Sequence, residues 1–286
     1  MAFIRAEFMS RSLKRIVPIT VVIPSDTTNF SGTGTNPAKP PYKTLYLLHG
    51  IYGSDMDMIS NTNVMRMARE RQLAVVMPAG ENHFYVDDSN NGMKYGEFIG
   101  KELVEVTRRM FPLSDKREDT FIAGMSMGGY GAIMNGIKYY DTFGCVASMS
   151  TSVITKETLA PGMPNPTPMC DPDFQQAIWD YDTLDTNDKN PYVLLKKYAE
   201  YKDRFPKIMI TCGTSDPFFE NNRKLSDYMN GLGIEHEFVP AEGGHNFDFW
   251  REALTRILDW LPHGEIIPIM DSGDVFGVKN ENGKTA

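Results

Sequence analysis

Compact apolar runs recur along this chain with a steady rhythm, and that rhythm restricts the fold more than any other feature. Thr44 to Leu48, Leu73 to Met77, Phe121 to Gly124, Phe143 to Met149, Ile208 to Cys212 and Ile234 to Val239 are each short and largely free of polar alternation, with helical stretches between most of them. A strand of that composition is one whose two faces are both covered. Alternation of such strands with helices predicts an α/β fold: a mostly parallel, doubly wound sheet of about eight strands with helices on both faces. Two further stretches, Phe3 to Met9 and Arg15 to Ile23, flank a polar break at Ser10 to Ser12 and predict an antiparallel pair at one sheet edge. The clearest helix is Glu97 to Met110, where Ile99, Leu103, Val106 and Met110 recur at helical spacing; Trp250, Leu254, Leu258 and Leu261 mark another.

The rhythm lapses in three places. Ser25 to Tyr42, rich in Thr, Gly, Asn and Pro, reads as a surface loop. Thr151 to Asn190 carries Pro161, Pro164, Pro166, Pro168 and Pro172 and a short apolar element around Trp179; long insertions of this kind tend to be lids or binding loops. After Pro262 comes a tail, 263–286, that starts with the apolar patch Ile266 to Met270, a candidate contact in a homo-oligomer. The expected organisation is one domain over 1–262, a lid insertion at 151–190 and the tail.

At 286 residues the chain is long enough to bury a large core. Its formal charge of −8, with no Lys/Arg run, argues against nucleic acid as a partner. Every apolar run falls short of the roughly 20 residues a membrane span requires. The N-terminal stretch alternates like a strand and lacks the continuous apolar segment of a signal peptide. Cys145, Cys170 and Cys212 are odd in number and unpaired in spacing, which fits buried thiols in a reducing cytoplasm.

The segment Phe121 to Ala132, FIAGMSMGGYGA, sets one hydroxyl, Ser126, between Gly124 and Gly128. Small residues two positions to either side let a strand turn sharply into a helix and hold the serine up on the tip of the turn. An ordinary helix N-cap would use the same residue types. A serine is a nucleophile only beside a base that a third group orients. Of the five histidines, His245 lies in a glycine-softened loop, AEGGHNFDFW, after the last expected strand and before the Trp250 helix. His236 reads as part of a strand, His263 follows the last helix, His83 lies in a loop without an obvious acid partner, and His49 reads as a turn-holding residue. For the acid, Asp216 in TCGTSDPFF follows the strand Ile208 to Cys212; Asp248 is the competitor, with a helix cap as its other reading. Ser126, Asp216 and His245 would each lie beyond the carboxyl end of a different strand, in the chain order of a nucleophile-elbow hydrolase. Developing negative charge on an attacked carbonyl would be met by the amide of Met127, at a helix N-terminus, and by that of Ile51, after the strand TLYLLHG.

YLLHGIYGS, GMSMGGYGA, CGTSDPFF and GGHNFDFW, in that order, resemble the α/β-hydrolase esterases of the esterase D type, among them S-formylglutathione hydrolases, tributyrin esterases and feruloyl or acetylxylan esterases. The resemblance spans roughly Phe3 to Leu261. It implies an α/β-hydrolase fold and a serine carboxylesterase acting on short-chain or aryl esters, with Ser126, His245 and Asp216 as the triad and Ile51 and Met127 as oxyanion donors. A thioesterase, or an acyltransferase to a sugar hydroxyl, would use the same residues. No metal and no cofactor are called for. Trp179 and Tyr181 in the lid, with Tyr52 beside the oxyanion loop, form the expected aromatic wall for substrate.

Overall fold

The computed structural model describes residues 1–26, 39–88, 91–159, 168–264 and 266. Among these, β1 (Ala2–Ser10), β2 (Arg15–Ile23), β3 (Thr44–Leu48), β4 (Ala74–Pro78), β5 (Thr120–Met125), β6 (Cys145–Met149), β7 (Lys207–Thr211) and β8 (Glu237–Phe238) form one sheet in the order β1-β2-β4-β3-β5-β6-β7-β8. The first two strands are an antiparallel pair at one edge, and β2 meets β4 antiparallel; every other pairing is parallel. The helices are α1 (Asp57–Asn61), α2 (Val64–Glu70), α3 (Tyr95–Glu97), α4 (Leu103–Met110), α5 (Met127–Lys138), α6 (Pro172–Trp179), α7 (Pro191–Tyr198), α8 (Phe219–Gly231) and α9 (Phe247–Trp260).

Because side chains alternate across a strand, each apolar run supplies two cores at once. Tyr46, Leu48, Ile122, Val146, Ile208 and Ile210 face one layer with α5, while Leu45, Leu47, Phe121, Ala123, Ala147 and Met209 face the other with α2 and α9. That is the physical reason these runs show no polar alternation: neither face of the central strands meets water.

Four expectations change. The expected strand Ile234 to Val239 pairs only over Glu237–Phe238, and His236 sits outside it, bonded to Ser226 Oγ and the Ile234 carbonyl. The helix expected over Glu97 to Met110 is interrupted by a π-turn, Phe98–Glu102, which adds a residue to the repeat. The buried face therefore passes from Ile99 and Leu103 to Val104 and Thr107, and Met110 is exposed. The insertion after β6 is not all loop: α6, capped by Asp171, lies within it and carries Trp179, and Asn190 at its end caps α7. Finally, Cys145 and Cys212 are buried, but Cys170 is exposed. Pro161, Pro164 and Pro166, and the tail beyond Ile266, lie outside the described residues. Among the described residues no helix is long and apolar enough to cross a membrane.

Candidate active site

The loops after β3, β5, β6, β7 and β8 all emerge at the carboxyl edge of the parallel strands, where an open α/β sheet forms its crevice. Ser126 is the first residue past β5 and sits at φ 54°, ψ −115°, before α5 begins. A non-glycine residue in that region costs on the order of 1–3 kcal/mol, which the surroundings must offset. They do so by close packing at the two flanking glycines. A Cβ on Gly124 would lie 2.3 Å from the Gly128 carbonyl oxygen, and one on Gly128 would lie 2.3 Å from that of Leu48. The Ser126 amide donates to the Met149 carbonyl at 2.8 Å, and its own carbonyl accepts from Tyr130 and Ser152.

Two more loops come together at glycines. A Cβ on Gly213 would meet the Gly243 carbonyl oxygen at 2.3 Å, and the Ser215 amide donates to that same oxygen at 2.9 Å. The loop carrying Asp216 is thereby docked on the loop carrying His245. His245 Nδ1 lies 2.9 Å from Asp216 Oδ2, and His245 Nε2 lies 3.0 Å from Ser126 Oγ. The imidazole is held edge-on between Phe218 and Trp250. The Asp216 side chain is fully buried, whereas that of His245 is a quarter exposed. Burial pushes the Asp216 carboxyl up, but hydrogen bonds from His245 and from the Phe218 amide, with the charge of the histidine, outweigh it and hold the group below its ordinary value. Asp216 stays an acceptor-only carboxylate, so Nδ1 of His245 carries a proton and Nε2 is left to accept one from Ser126.

Gly50 packs beside the serine, its Cβ position 3.6 Å from Ser126 Cβ. The turn that follows is fixed by His49. Its Nε2 accepts from the Gly80 amide at 2.8 Å, so Nδ1 bears the proton and donates to the Gly50 carbonyl at 2.7 Å. Burial pulls this histidine's pKa down, which keeps the neutral tautomer. Among the described residues, the amides of Ile51 and Met127 donate to no protein acceptor.

Of the residues expected at the site, the fold brings Ser126, Asp216 and His245 together. Asp248 is elsewhere, paired with Arg251 on the first turn of α9; it is not the cap either, since Asn246 accepts from the Phe249 amide. Trp179 is completely enclosed, edge-to-face with Phe84 and Phe174, and offers no surface to a substrate. Its helix buries its largest apolar side chain, as an amphipathic helix does. Tyr181 packs on the same core under Lys156. Only Tyr52 of the expected aromatic wall is exposed.

Sequence reasoning missed Ser152, whose Oγ lies 3.3 Å from Ser126 Oγ. The signal was the hydroxyl run Ser150 to Ser152 directly past the end of β6. Ser152 also opens a cleft of about 240 Å³, walled by Val153, Ile154, Met169 and Phe218.

The sequence matches the Esterase family over residues 10–261. The chain belongs to that family. It is 35% identical to the acetyl esterase of Caldicellulosiruptor saccharolyticus over 262 residues, 91% of this chain and 98% of the relative. Its fold is similar to that of the Staphylococcus aureus S-formylglutathione hydrolase (TM-score 0.77, 29% identity, 91% of this chain and 98% of that one). The fluorophosphonate-binding serine hydrolase F of the same organism is similar over the same shares (TM-score 0.78, 30% identity). This esterase is accordingly an α/β-hydrolase and a serine carboxylesterase.

Proposed function

We propose that Ser126 is the nucleophile of this esterase, His245 its base and then acid, and Asp216 the carboxylate that fixes the imidazole tautomer. The observation that carries the reading is the hydrogen-bonded line from Asp216 through His245 to Ser126, at 2.9 and 3.0 Å. As Ser126 Oγ attacks an ester carbonyl, its proton passes to His245 Nε2. The amides of Ile51 and Met127 receive the oxyanion, Met127 with the added field of the α5 N-terminus. The alcohol leaves with the proton from His245, and water activated by the same nitrogen releases the acid from the acyl-enzyme.

The acyl group is short. The cleft beside Ser152 is smaller than the roughly 300–1,000 Å³ of sites that enclose drug-sized ligands, and its walls are mainly apolar. Acetyl and similar groups on an alkyl or aryl alcohol are the favoured substrates, in keeping with the acetyl esterase relative. A formyl thioester of glutathione is the second reading, prompted by the S-formylglutathione hydrolase neighbour. Residues 1–262 work as one catalytic domain, and the insertion 151–190 acts as its lid by walling the acyl cleft with Val153, Ile154 and Met169. The protein works in a reducing cytoplasm, a reading supported by the buried thiols of Cys145 and Cys212.

Turnover of p-nitrophenyl acetate, butyrate and octanoate and of S-formylglutathione, on wild type and Ser126→Ala, tests this. Hydrolysis fastest on acetate and lost in the variant is the expected result. Retention of most activity by Ser126→Ala would exclude the mechanism, and a preference for octanoate would exclude the short acyl group.

A further inference from the structure

β1 is the outermost strand of the sheet. Its nine residues pair with β2 on one side, and among the described residues nothing pairs with the other. A long open edge presents a row of backbone donors and acceptors to any strand that fits it. On one face of β1, Ala2, Ile4, Ala6 and Phe8 are half-buried; on the other, Phe3, Arg5, Glu7 and Met9 are exposed. Phe3 is 46% and Met9 64% exposed, and Ile16, directly across from Met9 on β2, is 55% exposed.

From Phe3 to Met9 the strand reads FIRAEFM, which is complementary to itself when reversed. We propose that this edge is a dimer interface between two copies of the chain, joined as antiparallel β1 strands about a two-fold axis through Ala6. In that register Arg5 opposes Glu7 of the second copy, and by symmetry the contact is made twice. Ile4 opposes Phe8 and Phe3 opposes Met9, so that Ile16, Met9 and the second copy's Phe3 form one apolar row across the junction. Arg5 already contacts Asp55 at 3.2 Å, yet a guanidinium has five N–H donors and its side chain remains 56% exposed.

Only this register satisfies the charges. An axis through Arg5 sets Arg5 against Arg5, and an axis through Glu7 sets Glu7 against Glu7. An axis between residues would place the exposed row of one copy beside the packed row of the other. The same sequence thus favours one alignment and penalises its neighbours.

Sedimentation equilibrium of the full chain tests the association, and two variants test the register. Wild type is expected to dimerise. Glu7→Arg, a change at an exposed position that faces Arg5 of the second copy, is expected to weaken the dimer by roughly tenfold or more while ester turnover per chain and circular dichroism are retained. In a Cys170→Ser background, Ala6→Cys is expected to give a disulfide-linked dimer under mild copper-phenanthroline oxidation, and Ala2→Cys, which would face Ser10, is not. A chain that stays monomeric at the highest concentration overturns the proposal. So does a dimer whose dissociation constant is unmoved in Glu7→Arg, or cross-linking of the two cysteine variants to equal extent.

Discussion

The Gly243 carbonyl oxygen occupies the space a side chain on Gly213 would need, 2.3 Å from its Cβ position. That close approach, which involves no side chain of the three residues, sets the distance between Asp216 and His245. Gly213→Ala must push the two loops apart, at a cost of about 1–3 kcal/mol in stability from overpacking. Because a misplacement of about 1 Å can cost roughly a hundredfold in rate, kcat for p-nitrophenyl acetate is expected to fall by about that factor with KM little changed. A variant with wild-type kcat would show that the loops do not depend on this contact.

Ser126 stores backbone strain, and its replacements separate strain from chemistry. Ser126→Gly relieves the φ 54° conformation and is expected to raise the unfolding free energy by about 1 kcal/mol relative to Ser126→Ala. Both variants are expected to be inactive. Urea denaturation of the two, followed by circular dichroism, measures the difference, and equal midpoints would show that the turn is unstrained.

Asp216→Asn keeps the shape of the buried side chain but lets the amide favour the wrong imidazole tautomer. By analogy with serine proteases, kcat is expected to drop about 10⁴-fold. The same variant reports on stability. Since the folded-state pKa of Asp216 lies below its unfolded value of 3.8, its carboxylate contributes stability that is complete above that pH and is lost as the pH falls through the lower folded-state value. The gap in unfolding free energy between wild type and Asp216→Asn is therefore expected to shrink as the pH is lowered below about 4. A gap that stays constant from neutral pH to 3 would remove the carboxylate's electrostatic role.

Ser152 offers a second hydroxyl 3.3 Å from Ser126 Oγ. Deleting a neutral hydrogen bond is worth about 1 kcal/mol, so Ser152→Ala is expected to lower kcat/KM by roughly fivefold, far less than loss of Ser126. A loss comparable to that of Ser126→Ala would make Ser152 part of the chemistry itself.

Glu102 ties the β1–β2 turn to the π-turn. Its buried carboxylate accepts from Ser10 Oγ at 2.7 Å and from the Arg11 and Ser12 amides at 2.7 and 2.9 Å. Burial raises this carboxyl's pKa, but the three donors outweigh it and hold the group below the usual glutamate value. Glu102→Ala leaves those donors unmatched and is expected to cost about 2–3 kcal/mol in chemical denaturation, with esterase activity per folded molecule retained.

The sequence by itself determined most of the sheet, because strands with both faces buried must be apolar at nearly every position, and Thr44 to Leu48 or Phe121 to Gly124 can do little else in a chain of this length. It also pointed to the serine, histidine and aspartate that meet, with the choice of Asp216 over Asp248 left to the fold. Each follows a strand's carboxyl end, and parallel strands bring all such ends to one edge. Trp179, Ser152 and the π-turn were decided only by the tertiary structure. Whether an aromatic side chain on an amphipathic helix faces a cleft or a core depends on what lies opposite it, here Phe84, nearly a hundred residues earlier in the chain. A hydroxyl in a strand-end loop gains its meaning from a neighbour across the sheet. Such contacts between distant segments leave no periodic trace in the order of residues, whereas burial on two faces and position at a strand's end do.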